Sequence, residues 1–159
     1  MPVLAAIGIA AGTAAATTGG HSAAHPAARQ VRPEVFNCQH AQVKPSSFTL
    51  TCADGNTVLT HLSWSSWTAS AAHATGTEMV NDCTPYCAAG KFHGYRADVT
   101  FSRSVPLPGH PGQRYFSRVT VYFPGARPPV YSGGKPVTGP RTWTGVLSGP
   151  LPAKPSQLN

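Results

Sequence analysis

Phe48-Thr49-Leu50-Thr51-Cys52-Ala53-Asp54-Gly55-Asn56-Thr57-Val58-Leu59-Thr60-His61-Leu62-Ser63-Trp64 decides the fold class. Phe48, Leu50 and Cys52 alternate with Thr49 and Thr51, the period of a strand with one buried face. Asp54-Gly55-Asn56 supplies a turn, because Gly and Asn tolerate positive φ and Asp can bond its own backbone. After it, Val58, Thr60, Leu62 and Trp64 share one phase, and Leu59, His61 and Ser63 share the other. The stretch reads as a β-hairpin.

The same period recurs downstream. Tyr95, Ala97, Val99 and Phe101 alternate with Arg96, Asp98, Thr100 and Ser102. Tyr115, Ser117, Val119, Val121 and Phe123 alternate with Phe116, Arg118, Thr120 and Tyr122. Between them, Pro106 to Gly112 is a Pro/Gly loop, so the two runs form a second hairpin with a longer connection. Residues 65–80 carry mixed signals. Alanine favours helix, but the interspersed Thr, Ser and Gly favour strand or loop, with a short strand at Thr77 to Val80. Residues 124–140, rich in Pro and Gly, read as an irregular excursion, and Thr142 to Leu147 as a last strand. The expected fold is all-β: a small disulfide-stapled β-sandwich or open barrel of five to seven short antiparallel strands. Phe48, Leu50, Leu62, Trp64, Val99, Phe101, Val119, Val121, Phe123 and Trp143 are the expected core.

Ahead of the hairpin, residues 1–24 contain no Lys, Arg, Asp or Glu, and Val3 to Ala16 is apolar. That run suits the h-region of a signal peptide and is shorter than the ~20 residues of a membrane span. Small residues fit for cleavage follow at Ala14-Ala15-Ala16 and Ser22-Ala23-Ala24. No Lys or Arg precedes the run, so either translation starts upstream of Met1 or the α-amino group alone supplies the positive n-region. The organisation expected is a signal peptide at 1–24, a linker or arm at 25–37, one β domain at 38–149 and a flexible Pro-rich tail at 150–159. No later segment is apolar enough to span a bilayer. The expected localisation is secreted or envelope-associated.

The chain carries 12 basic and 5 acidic residues, a formal net charge of +7, and Gly and Pro number 16 each. Few Lys and Glu with many Pro, Gly and Thr argue against a helical protein. The positive excess fits partners such as an anionic wall polymer, a glycan or another extracellular protein. An extracellular setting makes nucleic acid a poor candidate. The arginines are scattered, which also fits a role in solubility alone.

Four cysteines, Cys38, Cys52, Cys83 and Cys87, permit three pairings. Proximity favours Cys38 with Cys52 and Cys83 with Cys87. The first bridge would close a loop worth ~3 kcal/mol in chain entropy. The second would shape a tight surface knuckle holding Asn81, Asp82 and Tyr86. Two other uses of Cys83 and Cys87 compete: zinc binding with His93 or another histidine, and a redox-active disulfide. Oxidation outside the cell opposes the first, and the three-residue spacing in a β context opposes the second. Neither metal nor cofactor is implied.

Acid–base chemistry needs paired carboxylates or histidines. Asp54 sits in a turn, Asp98 lies outward beside Arg96, and Glu34 lies in the arm. Glu78 and Asp82 remain, and with His93 or His73 in one concave pocket they would make a small hydrolase. No Gly-x-Ser-x-Gly elbow, phosphate-binding loop or zinc-protease motif is present. The sequence therefore points away from an enzyme and toward a binding or structural module. Trp64-Ser65-Ser66-Trp67 bears on that reading. The first reading is that both indoles pack over the disulfide or the core. Strict strand phase puts them on opposite faces instead, and if one is exposed, Trp67 is the contact residue beside Asn81, Asp82 and Tyr86.

The run Cys52-Ala53-Asp54-Gly55-Asn56, then Leu62-Ser63-Trp64-Ser65-Ser66-Trp67, then Asn81-Asp82-Cys83-Thr84-Pro85-Tyr86-Cys87-Ala88-Ala89-Gly90 resembles a set of small secreted actinobacterial proteins. The likeness spans about residues 38–123, and the Asn-Asp-Cys-x-Pro-x-Cys-Ala-x-Gly segment is its most specific part. It implies export and this order of elements, and it supplies no activity or catalytic residue. The uncharged, Ala-rich start departs from a typical member.

Overall fold

The computed structural model describes residues 31–133 and 135–150. The expected leader, the arm up to residue 30 and the tail after Pro150 lie outside the described residues. Strands β1 (Val35–Asn37) and β2 (His40–Gln42) form a small hairpin. Then come β3 (Phe48–Thr49), β4 (Thr57–Trp67), β5 (Ala71–Asn81), β6 (Phe92–Pro106) and β7 (Arg114–Tyr122). A separate hairpin, β8 (Pro129–Ser132) with β9 (Lys135–Thr138), precedes β10 (Thr142–Val146). The described residues hold no α-helix, only a 3₁₀ turn at Cys87–Ala89. Six strands make one antiparallel sheet in the order β10-β7-β6-β5-β4-β3, curled into a half-barrel. The first hairpin falls where its turn chemistry puts it: Phe48 pairs with Leu59 and Thr49 with Val58. Asp54 closes the turn by accepting the Asn56 backbone N–H at 3.1 Å.

The concave face of the sheet is the core. Ala72 and Ala74 of β5, Ala97, Val99 and Phe101 of β6, and Val119 and Val121 of β7 line it. The Ala-rich stretch with mixed signals thus resolves as a full strand. Ala74 pairs with Trp64 and Ala72 with Trp67, so each methyl leaves room for an indole on the neighbouring strand. Aromatic rings fill the hollow: Trp64 and Trp67 meet edge to face at 4.7 Å, and Phe101 lies 5.4 Å from Trp64.

Two interruptions in β4 correct the phase expected from alternation. His61 takes φ 53°, and His61 and Leu62 together face Gly76, a bulge that turns Leu62 inward after Leu59. Gly76 permits this, because a Cβ there would sit 2.7 Å from the Thr60 carbonyl oxygen. A second extra residue, Ser65, lies between the Trp64–Ala74 and Ser66–His73 pairs. Each bulge inverts the alternation by one step. Leu59 is therefore core, and Trp64 and Trp67 share the inner face instead of opposing ones.

The ends of β6 and β7 also bend. Arg103 takes φ 55°, and on β7 the buried face switches from Val119 to Phe116, which alternation had placed outward. The bent end receives the incoming chain: Glu34 donates its N–H to the Arg114 carbonyl and accepts from Phe116 N–H, both at 2.9 Å. Pro33 and Val35 are fully buried. The described fold therefore begins ahead of Cys38, and residues 33–37 belong to it rather than to a linker. Pro and a single alternation step left no periodic signal there. Residues 124–140 differ too, since they contain the β8–β9 hairpin.

Both proximity-favoured disulfides are formed. Cys38–Cys52 ties the β1–β2 turn to the loop after β3, and Cys83–Cys87 closes the knuckle.

Candidate functional site

The knuckle spans residues 81–90 at the end of β5, and its polar groups are directed inward on itself. The Asn81 side-chain amide donates to Asn56 Oδ1 at 2.9 Å and to the Cys87 carbonyl at 2.8 Å. Its Oδ1 accepts the Cys83 backbone N–H at 3.0 Å. Gly90 packs against this amide so closely that a Cβ would collide with Asn81 Oδ1 and approach Cys83 N to 2.7 Å. Asp82 accepts backbone N–H groups from Lys91 at 2.9 Å and Thr84 at 3.0 Å. Its other oxygen lies 2.9 Å from His93 Nε2. The His93 hydrogen bond, reinforced by the Lys91 and Thr84 amides, holds the Asp82 carboxyl down at about 2. An ionised carboxylate only accepts, so His93 presents a protonated Nε2 to it. Of the four residues expected to bind, Asn81 and Asp82 are thus builders of the loop, and Tyr86 projects from it at 64% exposure.

Trp67 is corrected outright as a contact residue. It is 9% exposed, lies 5.6 Å from the Phe116 ring, and donates its indole N–H to the Pro33 carbonyl at 2.8 Å. The Ser65 bulge is the physical cause. Cys83 and Cys87 are joined to each other, so the thiolates that a zinc site would use there are consumed.

Glu78 is the one buried charged residue of the described chain, at 3% exposure. It lies on the concave face, opposite Leu59 on one side and Tyr95 on the other. Trp143, from the far edge strand β10, donates its indole N–H to Glu78 Oε2 at 3.3 Å. Burial pushes the Glu78 carboxyl up to about 7, against the pull of that hydrogen bond. A carboxyl poised there can exchange a proton near neutrality. The candidate trio is nevertheless not assembled. His93 serves Asp82, and His73 is on the convex face with Nδ1 3.1 Å from Thr100 Oγ1. Sequence reasoning missed Trp143 as the partner of Glu78, a contact 65 residues apart that no local pattern announces.

Two further surfaces were not legible in advance. The convex face carries a cross-strand row of Ser66, His73, Thr100, Thr120 and Thr144. Its hydroxyls bond partly to one another, as Thr120 does to Thr144 at 3.1 Å. At the seam of the half-barrel, a cleft of about 180 Å³ lies between the two sheet edges, lined by Phe36, Cys38, Leu50, Val146 and Leu147. That is below the ~300 Å³ at which small-molecule sites begin.

Among the described residues, no helix is long and apolar enough to cross a membrane. No family model matches the chain, and neither a curated protein nor a solved structure matches it.

Proposed function

We propose that this chain is a non-enzymatic binding module that works outside the cytoplasm and engages an anionic component of the cell envelope. The observation that carries the reading is the segregation of charge. All five acids lie between Glu34 and Asp98, whereas residues 99–159 hold seven cations and no acid. The acids are also largely occupied: Asp54 in its turn, Glu78 in the core and Asp82 in the knuckle. The single ion pair among the described residues joins His93 to Asp82, so no described Lys or Arg is neutralised by a carboxylate. Unpaired surface cations on a rigid sheet attract polyanions through a field that salt screens.

Two disulfides and the absence of a membrane-crossing helix among the described residues agree with an extracellular setting. Support for a binding module over a small hydrolase comes from how the groups are engaged: Glu78 accepts from Trp143, Asp82 and His93 bond each other, and His73 lies on the convex face. The resemblance to small secreted proteins supports the extracellular setting alone. Binding of the purified protein to an anionic polymer such as polyglutamate, and to a neutral glucan, tests the reading. Retention on the anionic polymer should weaken steeply between 50 and 500 mM salt, roughly as the screening length shortens. Equal retention on the neutral glucan, unmoved by salt, would overturn it.

A further inference from the structure

No described strand buries the β8–β9 hairpin. Every described residue of both strands is exposed, including Val130 at 43%, Tyr131 at 63% and Val137 at 44%. Its root is closed by one more rung of the same ladder, with Gly139 N–H donating to the Pro128 carbonyl at 3.0 Å. A lone two-stranded ribbon is marginal in water, and apolar side chains on it are costly to leave exposed.

The arrangement of those side chains narrows the partner. Val130 pairs with Val137, and Tyr131 pairs with Pro136. Neighbouring residues on a strand point to opposite faces, so the ribbon is apolar on both. A protein surface would cover one face of such an arm, whereas a fluid interface surrounds both. Arg127 and Arg141 flank the ribbon and Lys135 sits beside its tip, with no acidic residue after Asp98. Pro129 and Pro136 lack backbone N–H groups, which reduces the unpaired donors along the ribbon's open edges. The remaining edge groups still need water, which limits immersion to the headgroup layer.

We propose that the β8–β9 hairpin is a membrane-contacting arm that lies in the headgroup region of an anionic lipid bilayer. The proposal rests on the cationic binding reading above and names its partner. Val130, Val137 and Tyr131 would sit at the boundary with the acyl chains, where Tyr is well accommodated. Lys135 would extend its ammonium back to the lipid phosphates.

Sedimentation of the full chain with vesicles tests this, using phosphatidylcholine alone and phosphatidylcholine containing phosphatidylglycerol. The protein should pellet with the anionic vesicles only. The double variant Val130→Ser/Tyr131→Ser should weaken that binding by about tenfold or more, by loss of apolar contact. Lys135→Ala should weaken it by roughly fivefold, the effect of one cation near an anionic surface. Neither should shift the thermal midpoint, since the arm lies outside the core. Vesicle binding unchanged in the double variant would overturn the arm while leaving the cationic reading intact. Binding to polyglutamate with none to anionic vesicles would do the same. Capture of an acidic protein through the arm in the absence of lipid would also overturn it. Failure to bind any polyanion would remove both readings together.

Discussion

Glu78 and Asp82 are two carboxyl groups four residues apart on one strand and its extension, and their surroundings drive them in opposite directions. Burial pushes Glu78 up to about 7, whereas hydrogen bonds from His93, Lys91 and Thr84 hold Asp82 at about 2. The difference marks two ways of holding the same sheet together. The hollow is held by packing, and the knuckle by hydrogen bonds and a disulfide. Each should fail under different perturbations.

The largest expected effect is in the hollow. Trp67→Ala removes an indole packed on Trp64, Phe101 and Phe116 and should cost about 3–5 kcal/mol, read by chemical denaturation. A near-neutral result would mean that the indole is not core.

Glu78→Gln sharpens the contrast through pH. The unfolded chain ionises Glu78 from about pH 4.5, and the folded chain only near 7. The folded state therefore retains a proton that the unfolded state has lost. The stability contributed by this protonated carboxyl is full below pH 4.5 and falls as pH rises to 7. The loss amounts to about 3 kcal/mol and is flat above that range. Glu78→Gln should abolish the slope, stabilising the protein at pH 8 and leaving it near wild type at pH 4. An unchanged slope in the variant would assign the pH dependence elsewhere. Asp82 has the opposite sign: its contribution is present above pH 3.8 and disappears as pH falls toward 2. Acid should therefore loosen the knuckle while leaving the hollow at its full strength, as hydrogen exchange of the Thr84 and Lys91 amides, set against that of the core strands, would report.

Smaller again is Asn81→Ala. It leaves the Cys83 N–H and Asn56 Oδ1 without their partner and should cost about 2 kcal/mol. Loss confined to the knuckle amides would place the effect there, and global unfolding at lower denaturant would tie the knuckle to the core. Tyr86→Ala, at the exposed tip, should stay within about 0.5 kcal/mol and serves as the control.

What could be read in advance followed the range of the interactions. The 48–64 hairpin was legible because its turn is local: Asp54, Gly55 and Asn56 carry the geometry themselves. The disulfides were legible from proximity. The phase of β4 was not, because the bulge at His61 depends on the missing side chain of Gly76 across the strand pair. Pro33 and Val35 were missed because their burial depends on the bend at Phe116. At the site, Asn81, Asp82 and Tyr86 were correctly gathered around a tight disulfide. Their roles were not legible, since Asn56, Lys91 and His93 decide which polar atoms remain free.

The two extra residues of β4 have a consequence for how this chain can vary in length. Ser65 is the extra residue between the Trp64–Ala74 and Ser66–His73 pairs, so its deletion would set Trp64 and Trp67 two residues apart, the spacing at which plain alternation keeps both indoles on the inner face. Loss of His61 would likewise set Leu59 and Leu62 two apart on that face. A deletion away from either bulge would instead turn every inner side chain beyond it outward. Single-residue losses in this strand should therefore be tolerated at the two bulges and purged elsewhere, which makes the bulges the places where its length can change.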